Sequence, residues 1–130
     1  MRETAVTAMR EFSEFKPRLV GPVLSGTADP HSAVSLHLFA DSAEEVGFTL
    51  MERGIPHRNS EHRLRMSTGS VARVPGYSFL AGDVELELLV FSGRSRRHTP
   101  LSPVDGRAMR RASVAEVEKL LCEDHPEQPG

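Results

Sequence analysis

Over the first fifteen residues Ala5, Val6, Ala8, Met9, Phe12 and Phe15 recur at intervals of three and four, the spacing that gathers apolar side chains on one side of a helix. This predicts a helix over 3–15 closed by Pro17, and "RLVGPV" then reads as a short apolar strand running into a turn at Gly21 and Pro22. In "SAVSLHLFA" Val34, Leu36 and Leu38 alternate with Ala33, Ser35 and His37, so a strand is expected with one face in the core and the other open for a site. Ser42 and Glu45 have the spacing of a capping box, in which side chain and backbone satisfy each other at a helix start. Val46, Leu50 and Met51 supply that helix's stripe, and Gly54 marks its end. "HRLRMS" reads as a short polar edge strand, and "GSVARVPG" as loop. "YSFLAGDVELELLVF" predicts a hairpin turning at Gly82 and Asp83, with Val84, Leu86, Leu88 and Val90 on one face of its second arm and Glu85, Glu87 and Leu89 on the other. A long connection leads to a second capping box, Ser113 with Glu116, opening a helix whose stripe is Val114, Val117, Leu120 and Leu121. This order of elements predicts an α+β fold, a mixed or antiparallel twisted sheet flanked by helices on one or both faces.

The chain's 130 residues suit one core. Residues 1–122 are read as a single domain and 123–130, "EDHPEQPG", as a flexible C-terminal tail. Sixteen basic and eighteen acidic residues leave a net charge of −2, which provides no overall field for nucleic acid or an anionic membrane. Cys122 is the only cysteine. An internal disulfide and a thiolate-rich zinc site are thereby excluded, and a half-buried helix cysteine in a reducing compartment is expected. "MRETAVTAMREFSEF" holds no apolar run long enough for a signal peptide or a membrane span, so no membrane partner and a cytoplasmic location are expected.

Candidate chemistry begins at "GPVLSGTADPHSAVSLHLF". Gly21, Gly26 five positions later, Ala28, and Ser32 before an alternating strand form a pattern that resembles the nucleotidyltransferase superfamily that includes DNA polymerase beta. Small members of that superfamily carry a glycine-serine pair, a helical turn with a second glycine, and a serine followed by Asp-x-Asp; the spacing matches without a gap from Gly21 through Leu36. The resemblance implies a phosphate-facing turn at Gly21, Gly26 and Thr27, a substrate side formed by Ser32, Ser35 and His37, and a third carboxylate on the strand over 84–91.

Four positions depart from the family pattern. Pro22 replaces the serine and removes a hydroxyl and a backbone N–H. Ser25 replaces the basic residue before the second glycine, and Ala33 and Ser35 stand where the aspartates belong. Only the third acidic position keeps a candidate, Glu85 or Glu87. One carboxylate beside a cation is worth roughly 4 kcal/mol per pair of unit charges at an effective dielectric of 20. Losing two of three therefore weakens magnesium binding by orders of magnitude and removes the two-metal clamp. The resemblance then implies a degenerate, non-catalytic member that binds a nucleotide weakly or a protein partner, with no cofactor. One alternative is an active nucleotidyltransferase whose acidic site is rearranged around Glu85, Glu87, Asp29 or Asp41 and uses magnesium or manganese. Another is a plain interaction or scaffold domain.

Asp29, His31, Ser35, His37, Glu85 and Glu87 also offer ligands for a rearranged metal or acid-base site, with imidazole favouring zinc, nickel or manganese. A solvated sheet face accounts for the same residues, since no pair has a diagnostic ligand spacing. Arg94, Arg96, Arg97 and His98 offer a contact for a phosphate tail or an RNA backbone, but with no aromatic partners for stacking they read as a solvated loop; Arg63 with Arg65 and Arg110 with Arg111 allow the same binding reading with less support. No G-x-S-x-G elbow exists, so no hydrolase role is assigned.

Overall fold

The computed structural model describes residues 1–92, 100–101 and 106–124. Helix α1 (Arg2–Glu11) buries Ala5, Val6, Ala8 and Met9 as its periodicity requires. It is shorter than the stripe suggests, because Phe12 leaves helical geometry at φ −109° and ψ 26° and the chain tightens into a 3₁₀ turn over Ser13–Phe15. The turn still buries Phe15, and Lys16 ends it in the left-handed region at φ 50°. There follow β1 (Arg18–Val20), the single-turn α2 (Pro22–Ser25), β2 (Val34–Phe39), α3 (Ala43–Glu52), β3 (Arg58–Arg65), β4 (Val71–Ala81), β5 (Val84–Phe91) and α4 (Val114–Asp124).

The five strands form one mixed sheet in the order β1-β2-β5-β4-β3. β2 and β5 run parallel, and the other neighbours are antiparallel. Val34, Leu36 and Leu38 of β2 and Leu86, Leu88 and Val90 of β5 point to one face. There they join Ala5 and Met9 of α1, Val23 and Leu24 of α2, Val46 and Leu50 of α3, and Val117 of α4 in the main core. The helices thus cover one face of the sheet. On the other face a smaller cluster of Met66, Val74, Leu89 and Phe91 packs with Phe39, Leu64 and Ala72. Tyr77 reaches from β4 into the main core and donates its hydroxyl proton to the Ala43 carbonyl at 2.8 Å. Gly47 makes room for it: a Cβ there would stand 2.8 Å from the Tyr77 Oη.

Several expectations are corrected. From Val71 onward "GSVARVPG" is strand, forming the first half of the eleven-residue β4, and the edge strand β3 is longer than "HRLRMS". Ser42 precedes α3, yet its side chain makes no capping hydrogen bond. Met51 is 68% exposed, because Val46, Gly47 and Leu50 are the residues α3 buries. Cys122 is exposed on α4 rather than half-buried. The second capping box forms as its spacing predicts: Glu116 N–H donates to Ser113 Oγ at 3.3 Å and Ser113 N–H to Glu116 Oε1 at 3.1 Å. No helix among the described residues is long and apolar enough to cross a membrane. The basic cluster Arg94, Arg96, Arg97 and His98 and the tail from residue 125 lie outside the described residues.

Candidate functional site

The sheet face away from the main core is organised in rows of register partners. One row runs Val20, Ser35, Glu87, Ser78 and Arg58 across all five strands. The next runs Arg18, His37, Leu89, Gly76 and Ser60. Ser35 and Glu87 are therefore direct neighbours on the parallel pair at its N-terminal end, and both are half-buried.

Gly21 closes on the same spot. Its φ of 78° and ψ of −161° fall in a region essentially restricted to glycine, and this bend turns β1 into α2 beside β2. A Cβ on Gly21 would lie 4.0 Å from both Cβ and Oγ of Ser35. The structure thus brings together Gly21, Ser35 and Glu87. Ala33 stands one residue before β2 begins.

The turn itself spends its donors internally. Leu24 and Ser25 N–H groups donate to the Gly21 carbonyl, and those of Gly26 and Thr27 donate to the Pro22 carbonyl. Ser25 Oγ and Thr27 Oγ1 lie 2.9 Å apart in a hydrogen bond. Arg2 fastens the far end, donating from Nε to the Val23 carbonyl at 3.0 Å and from Nη2 to the Leu24 carbonyl at 2.8 Å. Sequence reasoning missed Arg2, whose position at the head of an amphipathic helix carries no signal for a contact twenty residues away.

Asp29, His31 and Ser32 serve the loop that enters β2. Asp29 Oδ1 accepts from His31 N–H at 2.7 Å, and Ser32 Oγ accepts from Asp29 N–H at 3.1 Å. Glu85 is exposed and lines a shallow depression of about 450 Å³ with Pro56, His57, Arg58, Ser78, Phe79 and Leu80. Asp41 follows the opposite, C-terminal end of β2. Six residues of extended chain, roughly 20 Å, separate it from Ser35.

His37 departs most from its expected place on an open face, since it is 1% exposed. Its ring packs 4.6 Å from that of Phe91, and its Nδ1 accepts a hydrogen bond from Arg111 Nε at 2.9 Å. Burial first, and then the Arg111 charge, lower its pKa to about 3. The imidazole is therefore neutral, with its proton on Nε2 so that Nδ1 can accept. It is a packed structural group and is not presented to a ligand beside Ser35.

Among the described residues no three His, Cys, Asp or Glu side chains gather closely enough to hold a metal ion. Glu87 is the only carboxylate in the row across Ser35. Chemically the arrangement offers one carboxylate, two hydroxyls at Ser35 and Ser78, and a guanidinium at Arg58, which suits polar binding better than metal-assisted transfer. The class defined by fold and site is an α+β protein with a five-stranded mixed sheet and a polar row at the head of its parallel strand pair. No protein-family model, no curated protein and no solved structure matches the chain.

Proposed function

We propose that this chain is a nucleotidyltransferase-like domain that has lost metal-dependent transfer and retains weak binding of a nucleotide. The observation that carries the reading is the placement of Ser35 opposite Glu87 on parallel strands, with Gly21 so close that a Cβ on it would lie 4.0 Å from Ser35. Position 35, which the resemblance assigns to a metal carboxylate, adjoins both Glu87 and the phosphate-side glycine Gly21, and of these only Glu87 is acidic. A lone carboxylate holds magnesium poorly without substrate phosphates and further carboxylates to share its charge. With the N–H groups of Leu24, Ser25, Gly26 and Thr27 already bonded within the turn, phosphate binding there is weak as well.

Calorimetry with ATP, CTP, GTP and UTP, with and without magnesium or manganese, tests this. The expected result is weak binding that changes little with metal, and no transfer of labelled nucleotide to protein or small-molecule acceptors. Strongly metal-dependent binding, or transfer abolished by Glu87→Gln, would establish the active alternative instead. A protein partner is the second reading, favoured by Phe48 and Met51, which stand 62% and 68% exposed one turn apart on α3. In that case F48S/M51S abolishes partner binding and leaves the nucleotide titration unchanged.

A further inference from the structure

Arg111 lies where the chain returns to the sheet. Ala112 and Leu19 exchange backbone hydrogen bonds of 2.8 and 3.0 Å, which lays the preceding side chain over β2 and β5. The guanidinium carbon sits 5.2 Å from the Phe39 ring centroid and 4.9 Å from that of Phe91, while Nε donates to His37 Nδ1. Each of these partners is neutral. Burial, and then the like charge of Arg18, lower the pKa of Arg111. Its Nη2 is buried and has no acceptor among the described residues.

Among the described residues Arg111 forms no ion pair; on the adjoining helix Glu116 accepts from Ser113, and Glu118 pairs with Arg10 at 2.8 Å. A half-buried cation with no counter-ion among the described residues and a buried N–H without an acceptor there are both costly, and native structures rarely keep a buried unpaired donor without a reason such as a bound ion. One anion relieves both. The two phenyl rings hold the guanidinium plane in place, which prepares its N–H fork for an oxyanion of matching geometry. Arg18, the register partner of His37, adds a second positive charge on the same face.

We propose that Arg111, backed by Arg18 and braced by Phe39, Phe91 and His37, is a binding site for a phosphoryl group, either free phosphate or a small phosphate monoester. Two guanidinium charges match the charge of a phosphate monoester near neutral pH. The site goes beyond the nucleotide reading, since it uses neither Gly21 nor Glu87 and stands one row further along β2. Because Nη2 is closed off, entry requires a local opening, and exchange between free and bound anion is slow.

The test compares thermal stability in inorganic phosphate, in a nucleoside monophosphate and in chloride at equal ionic strength, for the unmodified protein, Arg111→Gln and Arg18→Gln. Phosphate is expected to raise the melting temperature above that in chloride, with binding at least tenfold weaker in Arg111→Gln and weakened in Arg18→Gln. Stabilisation by the monophosphate but not by inorganic phosphate would identify an organic phosphate as the ligand. Should Arg111→Gln fail to fold, the ring ¹⁵N resonances of His37 in the unmodified protein are followed instead, and phosphate must shift them. Equal stabilisation by chloride, or His37 resonances unmoved at saturating phosphate, would overturn the proposal. Monophosphate binding that survives Arg111→Gln and is lost in Glu87→Gln would overturn it too, while leaving the nucleotide reading intact.

Discussion

An imidazole buried beside a guanidinium, with no carboxylate among the described residues to hold a proton on it, makes stability depend on acid. His37 keeps a pKa of about 3 in the fold, against roughly 6.5 in an unfolded chain. Between those values the unfolded state binds the extra proton, so stability falls as pH drops below about 6.5, by roughly 1.4 kcal/mol per pH unit. Above that range this group contributes no slope. Protonation would also set a second cation against Arg111 and remove the Nδ1 lone pair that accepts its Nε proton. Urea unfolding at a series of pH values should show this slope, and His37→Asn, which keeps an acceptor but cannot titrate, should flatten it. A slope unchanged in His37→Asn would place the acid sensitivity elsewhere. Two glycines give a contrasting pair. Gly21→Ala adds a Cβ with room around it but forces alanine into glycine-only backbone angles, at a cost of about 1–3 kcal/mol. Gly47 has ordinary helical surroundings, yet Gly47→Ala drives a methyl against the Tyr77 hydroxyl. Its loss is therefore partly recovered in G47A/Y77F, whereas no side-chain truncation rescues Gly21→Ala.

The two capping sequences behave differently although they look alike. Ser113 and Glu116 bond reciprocally at the start of α4, while Ser42 makes no side-chain bond at the start of α3. Ser113→Ala should cost about 1 kcal/mol in chemical denaturation, and Ser42→Ala only a few tenths; equal effects would mean that the Ser42 cap forms in solution. The same pair marks how far elements could be read from the chain. Amphipathic spacing placed α1, β2, α3, the hairpin of β4 and β5, and α4, because each buries one periodic stripe against the single main core. β4 was legible only in its second half. Pro75 and Gly76 have the composition of a loop, yet Pro75 stands just beyond the Gly76–Leu89 pair where the β5 ladder ends, so its missing N–H breaks no bond on that side. Gly76 in turn is required by close packing, since a Cβ there would stand 2.4 Å from the Leu88 carbonyl oxygen. At the site, alternation placed Ser35 and Glu87 on the same side of their strands, and pairing made them neighbours. The burial of His37 was not legible, because it depends on Arg111 arriving from seventy-four residues away.

At the scale of the whole molecule, the parallel pairing of β2 with β5 decides whether the polar row is the remnant of a metal site or an incidental surface. If the row is such a frame, restoring its charges should restore ion binding without changing the fold. Ser35→Asp places a carboxylate beside Glu87, its register partner, and Ala33→Asp adds a second on the same face if the alternation of β2 continues one residue before the strand. Three like charges repel when no cation is present, so the metal-free variant should be less stable than the parent protein. Divalent cations should then recover the loss by mass action, contributing about 2.7 kcal/mol once the ion reaches a hundred times its dissociation constant. The expected outcome is a melting temperature that rises with millimolar manganese in A33D/S35D and stays flat in the parent. The rise should shrink when Glu87→Gln is added, because the third ligand is then gone. A variant that folds but ignores manganese would show that the three positions do not converge on one ion, and the resemblance to nucleotidyltransferases would then reduce to a coincidence of spacing.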